Sequence, residues 1–281
     1  MGWIGWISSS GRIPETKTGP LKPRLIPPVF VPRVWGTRDL APFYPQAAEP
    51  VGEVWFQLDK QFPLLVKFLF TEENLSVQVH PPDDYALQHH GSRGKTEMWH
   101  ILDARPGAQI AVGFRQPLTR RQAEEAIRSG EIERLLNWFP VSAGETYYTP
   151  AGIVHAIGAG IRLCEIQQNS DITYRLYDYG RGRELHLEHG LAVADLGCFD
   201  PRRQLPLECP YFSTQRIETS QGLSLGPSPS DAVCIILDGQ GRLAGQTIRS
   251  GEAWLLPAGV AVSLQPEGQL KALLTAKPAG L

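Results

Sequence analysis

The sequence predicts an all-β protein, mainly strand with one small helical insertion, and three observations carry that expectation. Its 28 glycines and 24 prolines fall between short segments rich in Val, Ile, Leu, Tyr and Phe, the punctuation of many short strands. Several of those segments alternate apolar and polar residues, the period of a half-buried strand. One stretch of the chain also repeats another, which predicts two related β-units rather than one.

Taken in order, residues 1 to about 30 carry Ser8-Ser9-Ser10-Gly11 and Pro27-Pro28 and read as an extended, partly mobile arm ending near Phe30. Leu75-Ser76-Val77-Gln78-Val79-His80 reads as a strand with Leu75, Val77 and Val79 on one face. Ser76, Gln78 and His80 share the other face, which lines either solvent or a site. A helix is expected from Thr119, which can cap, with Gln122 three residues on as in a capping box and Ala123, Ala126 and Ile127 at helical spacing. The pattern reaches Trp138, with Gly130 as a point where it breaks in two. Gly144-Glu145 and Pro150-Ala151-Gly152-Ile153-Val154-His155 recur at the same separation as Gly251-Glu252 and Pro257-Ala258-Gly259-Val260-Ala261-Val262. Upstream, Ile101-Leu102-Asp103 is matched by Ile236-Leu237-Asp238. Gly144 follows Ile101 by 43 residues and Gly251 follows Ile236 by 15, an excess of about 28 that is close to the helix with its flanks. The expected organisation is an arm over 1–30, a site-bearing β-unit over 31–200 with its helical insertion near 118–138, and a degenerate unit over 201–281 that has Val262 in place of His155.

Composition narrows the function classes. A hydrophobic share of 42% with 20% charged residues is that of a globular chain with a real core. No apolar run approaches the roughly 18 residues that span a bilayer. Met1 is followed by Gly-Trp-Ile-Gly-Trp rather than a basic segment and a long apolar stretch, so a cytoplasmic protein without membrane contact is expected. A net charge of −2 and the absence of a basic stripe beside tryptophans such as Trp3 and Trp6 argue against a nucleic-acid partner. Cys164, Cys198, Cys209 and Cys234 have no close spacing and read as free thiols.

The chemistry concentrates in the first unit. Gln78 and His80, about 7 Å apart along one strand face, suit two ligands of one metal. Glu97 follows a loop with Pro81-Pro82 and Gly91, and His155 follows the Pro-Ala-Gly turn. Two imidazoles, a carboxylate and an amide oxygen form an N/O donor set suited to Zn²⁺, or to Fe, Mn or Co, with room for water or substrate. The loss of His155 from the second copy favours a role beyond folding. His89-His90 reads as a solvated loop pair, and His186 and His189 as structural residues near a strand-to-helix turn. His100, three residues after Glu97 on one strand, points to the opposite face and stays outside the site.

The stretch from Gly144 to His155 resembles the second metal-binding motif of cupins, and Gln78-x-His80 with Glu97 resembles a variant of the first. Together with Val34-Trp35-Gly36, Gly52-Glu53-Val54-Trp55, Gly94-Lys95-Thr96-Glu97-Met98-Trp99 and Glu165-Ile166-Gln167-Gln168-Asn169-Ser170-Asp171 running to Arg175, these segments resemble type I phosphomannose isomerases in their short bacterial form, from about Val34 onward. The resemblance implies two cupin-type β-barrels (jelly rolls), the second degenerate, and one zinc per chain on Gln78, His80, Glu97 and His155. It implies active-site roles for Lys67, Lys95, Glu165 and Arg175, and pocket-lining roles for Trp35, Glu53, Ser76 and Asp171. The implied activity is interconversion of mannose 6-phosphate and fructose 6-phosphate. Two departures stand out: Lys95-Thr96-Glu97 where many relatives have Lys-Pro-Glu, and His100 where an aromatic residue is common.

Such an isomerisation moves a proton between C1 and C2 through a cis-enediol, so it needs a base, a stabiliser of enediolate charge and a phosphate anchor. Arg175 is assigned to charge stabilisation or phosphate contact, and Glu165 or a lysine of lowered pKa to proton transfer. Rival readings are an isomerase of another sugar, phosphorylated or not, an iron-dependent cupin oxygenase, and a metal-containing sugar-binding module without turnover. The Lys, Glu and Arg constellation has no use in oxygen chemistry, which disfavours the oxygenase.

Overall fold

The computed structural model describes residues 22–277. Trp3, Trp6 and most of the expected arm lie outside the described residues. Four sheets with antiparallel strand pairs dominate, joined by four short helices: α1 (Asp83–His90), α2 (Arg120–Ser129), α3 (Ile132–Leu135) and α4 (Leu187–Val193). The all-β expectation with a helical insertion therefore holds.

A seven-stranded sheet runs in the order 202–203, 146–149, 97–104, 161–168, 64–70, 51–56, 28–37, and faces a five-stranded sheet ordered 174–177, 77–79, 155–157, 109–114, 136–140. Between them lie Trp35, Leu69, Trp99, Ile101, Ile110, Val112, Ile157 and Leu163. A six-stranded sheet, five of its strands from the C-terminal part and one being Arg24–Ile26, and a four-stranded sheet from the C-terminal part enclose a second core with Cys234, Ile236, Leu243, Trp254, Val262 and Leu264. The strand Leu64–Phe70 shows how the layers are set. Its residues alternate, so Leu64, Val66, Phe68 and Phe70 face the six-stranded sheet, while Leu65, Lys67 and Leu69 point into the first pair of sheets. Both faces are buried, which is why the segment reads as a continuous apolar run interrupted by one lysine.

The insertion differs from its expected length. Thr119 caps α2 and exchanges hydrogen bonds with Gln122 as a capping box, but the helix stops at Gly130, whose φ of 78° is left-handed. After the single turn of α3 the chain becomes strand at Leu136–Pro140, so Trp138 is extended rather than helical, paired with Ala111. Two other local expectations change. Leu75 precedes the strand Val77–Val79 and packs with Trp35 and Trp99, whereas Val77 and Val79 pack under α2 and α4. His89 and His90 end helix α1 instead of sitting in a loop; both are exposed, with His90 Nε2 2.6 Å from the Tyr174 hydroxyl. The described end of the arm is ordered sheet: Arg24–Ile26 pairs with Ala253–Leu256, and Pro28–Thr37 edges the seven-stranded sheet. All four cysteines are free, and among the described residues no helix is long and apolar enough to cross a membrane.

Candidate active site

Three neighbouring strands and one turn bring the donors together. Gln78 lies directly across from His155, and Arg175 across from Gln78 on its other side. Glu97 opens the strand Glu97–Ala104 in the opposite sheet. The turn before His155 is fixed at Gly152, where a φ of 88° excludes most side chains and the amide donates to the carbonyl of His80 at 2.8 Å. One ligand atom from each of His80, Glu97 and His155 fits within 4.8 Å of the others, and all three residues are about 1% exposed. His80 Nδ1 lies 2.9 Å from the Ile172 carbonyl and His155 Nδ1 2.8 Å from the Ile153 carbonyl. Each carbonyl accepts an N–H there, which leaves the Nε2 lone pairs facing one another and Glu97. Gln78 Nε2 lies 3.3 Å from His155 Nε2, and turning the amide over would present its oxygen instead.

The donor set calls for a cation. Both Glu97 carboxylate oxygens are buried without a well-aligned hydrogen bond, and one lysine is the cation that offsets their charge. The ammonium of Lys95 stands 2.9 Å from Glu97 Oε1 and 3.2 Å from His80 Nε2. Burial alone would raise the Glu97 pKa, but the Lys95 ammonium holds it well below the usual carboxylate range. Burial pushes His80 down to about 3 and lowers His155, so both rings are neutral and ready to coordinate. Gln78, His80, Glu97 and His155 thus fit a borderline divalent metal such as zinc.

Gln78 and Lys95 also form part of the wall of a cavity of about 390 Å³. Trp35, Glu53, Lys67, Ser76, Glu165, Asp171 and Arg175, all expected from the sequence, line the same cavity. Gln78 and Lys95 therefore connect the candidate metal cluster, of which His80, Glu97 and His155 are the buried members, to this cavity.

The chain is 34% identical to mannose-6-phosphate isomerase ManA of Bacillus subtilis, an alignment covering 85% of this chain and 94% of that protein. It is 36% identical to the mannose-6-phosphate isomerase of Streptococcus mutans, over 70% of this chain and 68% of the relative. The chain belongs to the type I mannose-6-phosphate isomerase family. The crystal structure of the Bacillus subtilis mannose 6-phosphate isomerase superposes on this isomerase with a TM-score of 0.82 at 26% identity, covering 91% of this chain and 100% of that one. A structure of a putative mannosephosphate isomerase from Archaeoglobus fulgidus, 18% identical, shares the fold with a TM-score of 0.78. No family model matches the chain.

Inside the cavity of the isomerase, Lys67 Nζ and Glu165 Oε2 are 3.0 Å apart and both side chains are 5% exposed. They face each other across paired strands, and Trp99 Nε1 donates to the other Glu165 oxygen at 3.1 Å. Burial, then the charge of Glu97, raises the Glu165 pKa despite Lys67 and Lys95, so its carboxylate is more basic than an ordinary glutamate. Burial would lower Lys67, but Glu165, Glu53 and Glu97 outweigh it and raise the lysine. A lysine of lowered pKa is thereby corrected for Lys67, which stays an ammonium 4.9 Å above the Trp55 ring. His100 lies on the far face beside Thr146, pushed down to about 4 by burial and Arg216, and takes no part in the site.

The cavity also holds residues that the sequence reading passed over: Arg33, Trp55, Thr173 and Arg183. Trp55 and Arg33 had an available signal, since they stand two residues from Glu53 and Trp35 and share their strand faces. Arg33 pairs with Glu53 through two nitrogens at 3.1 Å. Arg183 had only a local arginine density, Arg175, Arg181 and Arg183 within nine residues.

Proposed function

We propose that this isomerase interconverts mannose 6-phosphate and fructose 6-phosphate through a cis-enediol(ate), with one zinc ion held by Gln78, His80, Glu97 and His155. The observation that carries the reading is a buried carboxylate, Glu97, beside two neutral imidazoles, next to a cavity whose wall contains Gln78, Lys67, Lys95, Arg175 and a basic Glu165. Bound zinc would supply Lewis-acid polarisation and alignment of the substrate's C1 and C2 oxygens.

The chain's own residues do the rest. Glu165 takes the proton from C2 and returns it to C1, held by Trp99 on one oxygen and Lys67 on the other. Because both positions are served by one carboxylate, the enediol is expected in the cis form. The Lys67, Lys95 and Arg175 cations offset the charge that develops as the C2 proton leaves, inside a site where little water screens them. Trp35, Ser76, Glu53 and Asp171 shape the wall against which the sugar hydroxyls lie. The division of the chain at about residue 200 into a site-bearing cupin unit and a degenerate one belongs to the same reading, as does a cytoplasmic location.

The deciding assay is conversion of mannose 6-phosphate to fructose 6-phosphate by protein of measured zinc content, beside chelated protein and free mannose. Turnover that needs both metal and phosphate is expected; no turnover by fully zinc-loaded protein would sink the reading. His155→Ala should lose metal and activity together, whereas Arg175→Ala should keep the metal and lose turnover.

A further inference from the structure

Twelve residues after the strand Tyr174–Tyr177 begins, the chain has folded back on it. The His186 amide donates to the Arg175 carbonyl at 2.7 Å, and the Arg175 amide donates to His186 Nδ1 at 3.1 Å. The loop so closed carries Arg181 and Arg183, and both reach inward to one carboxylate, Asp178, which is 4% exposed. Three guanidiniums, Arg175, Arg181 and Arg183, thus crowd around one buried acid. Burial opposes the Asp178 charge, but Arg183, Arg181 and Arg175 hold its pKa below the usual value.

Only two of the three guanidiniums line the cavity, Arg175 and Arg183. Arg175 Nη1 donates to the Glu184 carbonyl at 2.9 Å, while its buried Nε has no hydrogen-bond partner. Arg183 donates from Nε to Asp178 Oδ2 at 2.8 Å and from Nη2 to Oδ1. That two-point grip fixes the guanidinium plane and leaves the Nη1 edge without a protein partner, at a side chain 29% exposed. Arg33, the third arginine on the wall, is already engaged by Glu53 through Nε and Nη2. Guanidinium groups with unused donors therefore gather on one side of the pocket, Arg175 on the strand in register with Gln78 and Arg183 on the loop that follows it.

We propose that Arg183, oriented by Asp178, is the specificity residue that takes the phosphate of the substrate, with the unpartnered Nε of Arg175 beside it. This deepens the sugar-phosphate reading and rests on it. The guanidinium of Arg183, its plane fixed by Asp178, presents its free Nη1 edge to a phosphate dianion, whose charge complements the arginines on this side of the cavity. Arg175 then serves both ends of the substrate, whereas Arg183 contributes to binding alone.

The test uses zinc-loaded full-length protein and the variants R183Q and R183K. For R183Q, KM for mannose 6-phosphate should rise at least about tenfold, with kcat reduced less than about threefold, and the inhibition constant of inorganic phosphate should rise in parallel. R183K, with a charge but no fork, should fall between R183Q and wild type and carries the same test if R183Q does not fold. An unchanged KM overturns the proposal, and so does a raised KM with an unchanged phosphate constant. If wild type fails to turn over mannose 6-phosphate, the substrate reading falls, and calorimetric titration of inorganic phosphate into both proteins still decides this one. Weaker phosphate binding by R183Q would then support it, and equal binding would overturn it.

Discussion

At Glu165 the environment decides what a side chain can do. The same carboxylate on the protein surface would be a weak base, but burial and the nearby Glu97 charge raise its pKa while Lys67 and Trp99 hold it in place. A base must be ionised to act, so activity is lost as pH falls through the raised value, not the ordinary one. The acid limb of kcat/KM should therefore lie above the usual glutamate range of about 4.3. The imidazoles of His80 and His155 are shifted the other way by burial, which favours their neutral form. Glu165→Gln should cost about 10²–10⁴ in kcat with zinc content intact and should erase the limb from any residual rate. A limb at or below the ordinary value, or the same limb in the variant, would remove Glu165 as the base. The residues of this site differ in how legible they are from sequence. Gln78, His80, Glu97 and His155 are readable because a metal site needs particular donor types and the i, i+2 spacing of a strand places two of them on one face. Arg183 is not, because its placement depends on a loop closed by His186 and on Asp178, contacts made by folding and invisible to periodicity.

Among the elements, helix α2 was legible at its start and misread at its end. Thr119 and Gln122 satisfy the first amides of the helix through local hydrogen bonds, so residue types three apart announce the start. The end depends on Gly130 and on the pairing of Leu136–Pro140 with Gln109–Phe114, a tertiary choice that overrides the helical pattern continuing toward Trp138. Thr119 is exposed and its hydroxyl bonds to Gln122, so Thr119→Ala removes the side-chain cap without touching the core. It should lower unfolding free energy by about 1 kcal/mol in urea titrations, with zinc content and kcat as in wild type. No measurable loss would mean that α2 is held by its apolar face on Ala123, Ala126 and Ile127 alone. The strand Leu64–Phe70 teaches the converse: its period-two signal is hidden because both faces are buried, and only Lys67 betrays which side is the site.

Over the whole molecule, the internal repeat is a repeat of hydrogen bonds. Ile101 donates to the Glu145 carbonyl and Gly144 to that of Ile101, at 2.9 and 2.8 Å; Ile236 and Gly251 make the matching bonds at 2.8 and 2.9 Å. The Glu145 carboxylate accepts from Ser142 N and the Tyr147 hydroxyl, and that of Glu252 from Arg249 N and Trp254 Nε1. Helices α2 and α3 fall inside the hairpin whose counterpart, Gln240–Leu243 with Gln246–Arg249, is closed by a two-residue turn. Where His155 serves the site, Val262 is 2% exposed in apolar core. What the repeat did not announce is how the copies join. Val54, Phe56, Val66, Phe68, Cys164 and Ile166 of the seven-stranded sheet interlock with Val233, Ile235, Ala253 and Leu273 of the six-stranded sheet in one cluster. Separating the copies would expose that whole face, so their unfolding should be coupled. A ligand bound only by the first copy should then stabilise the second. Zinc at a free concentration about a hundred times its dissociation constant contributes about 2.7 kcal/mol to the folded state. Amides in Ala232–Asp238 and Leu270–Ala276 that exchange through global opening should accordingly slow about a hundredfold on adding zinc, as should those in Leu64–Phe70, and none should slow in His155→Ala. Protection confined to the first copy would show that the shared core, large as it is, lets the two copies open independently.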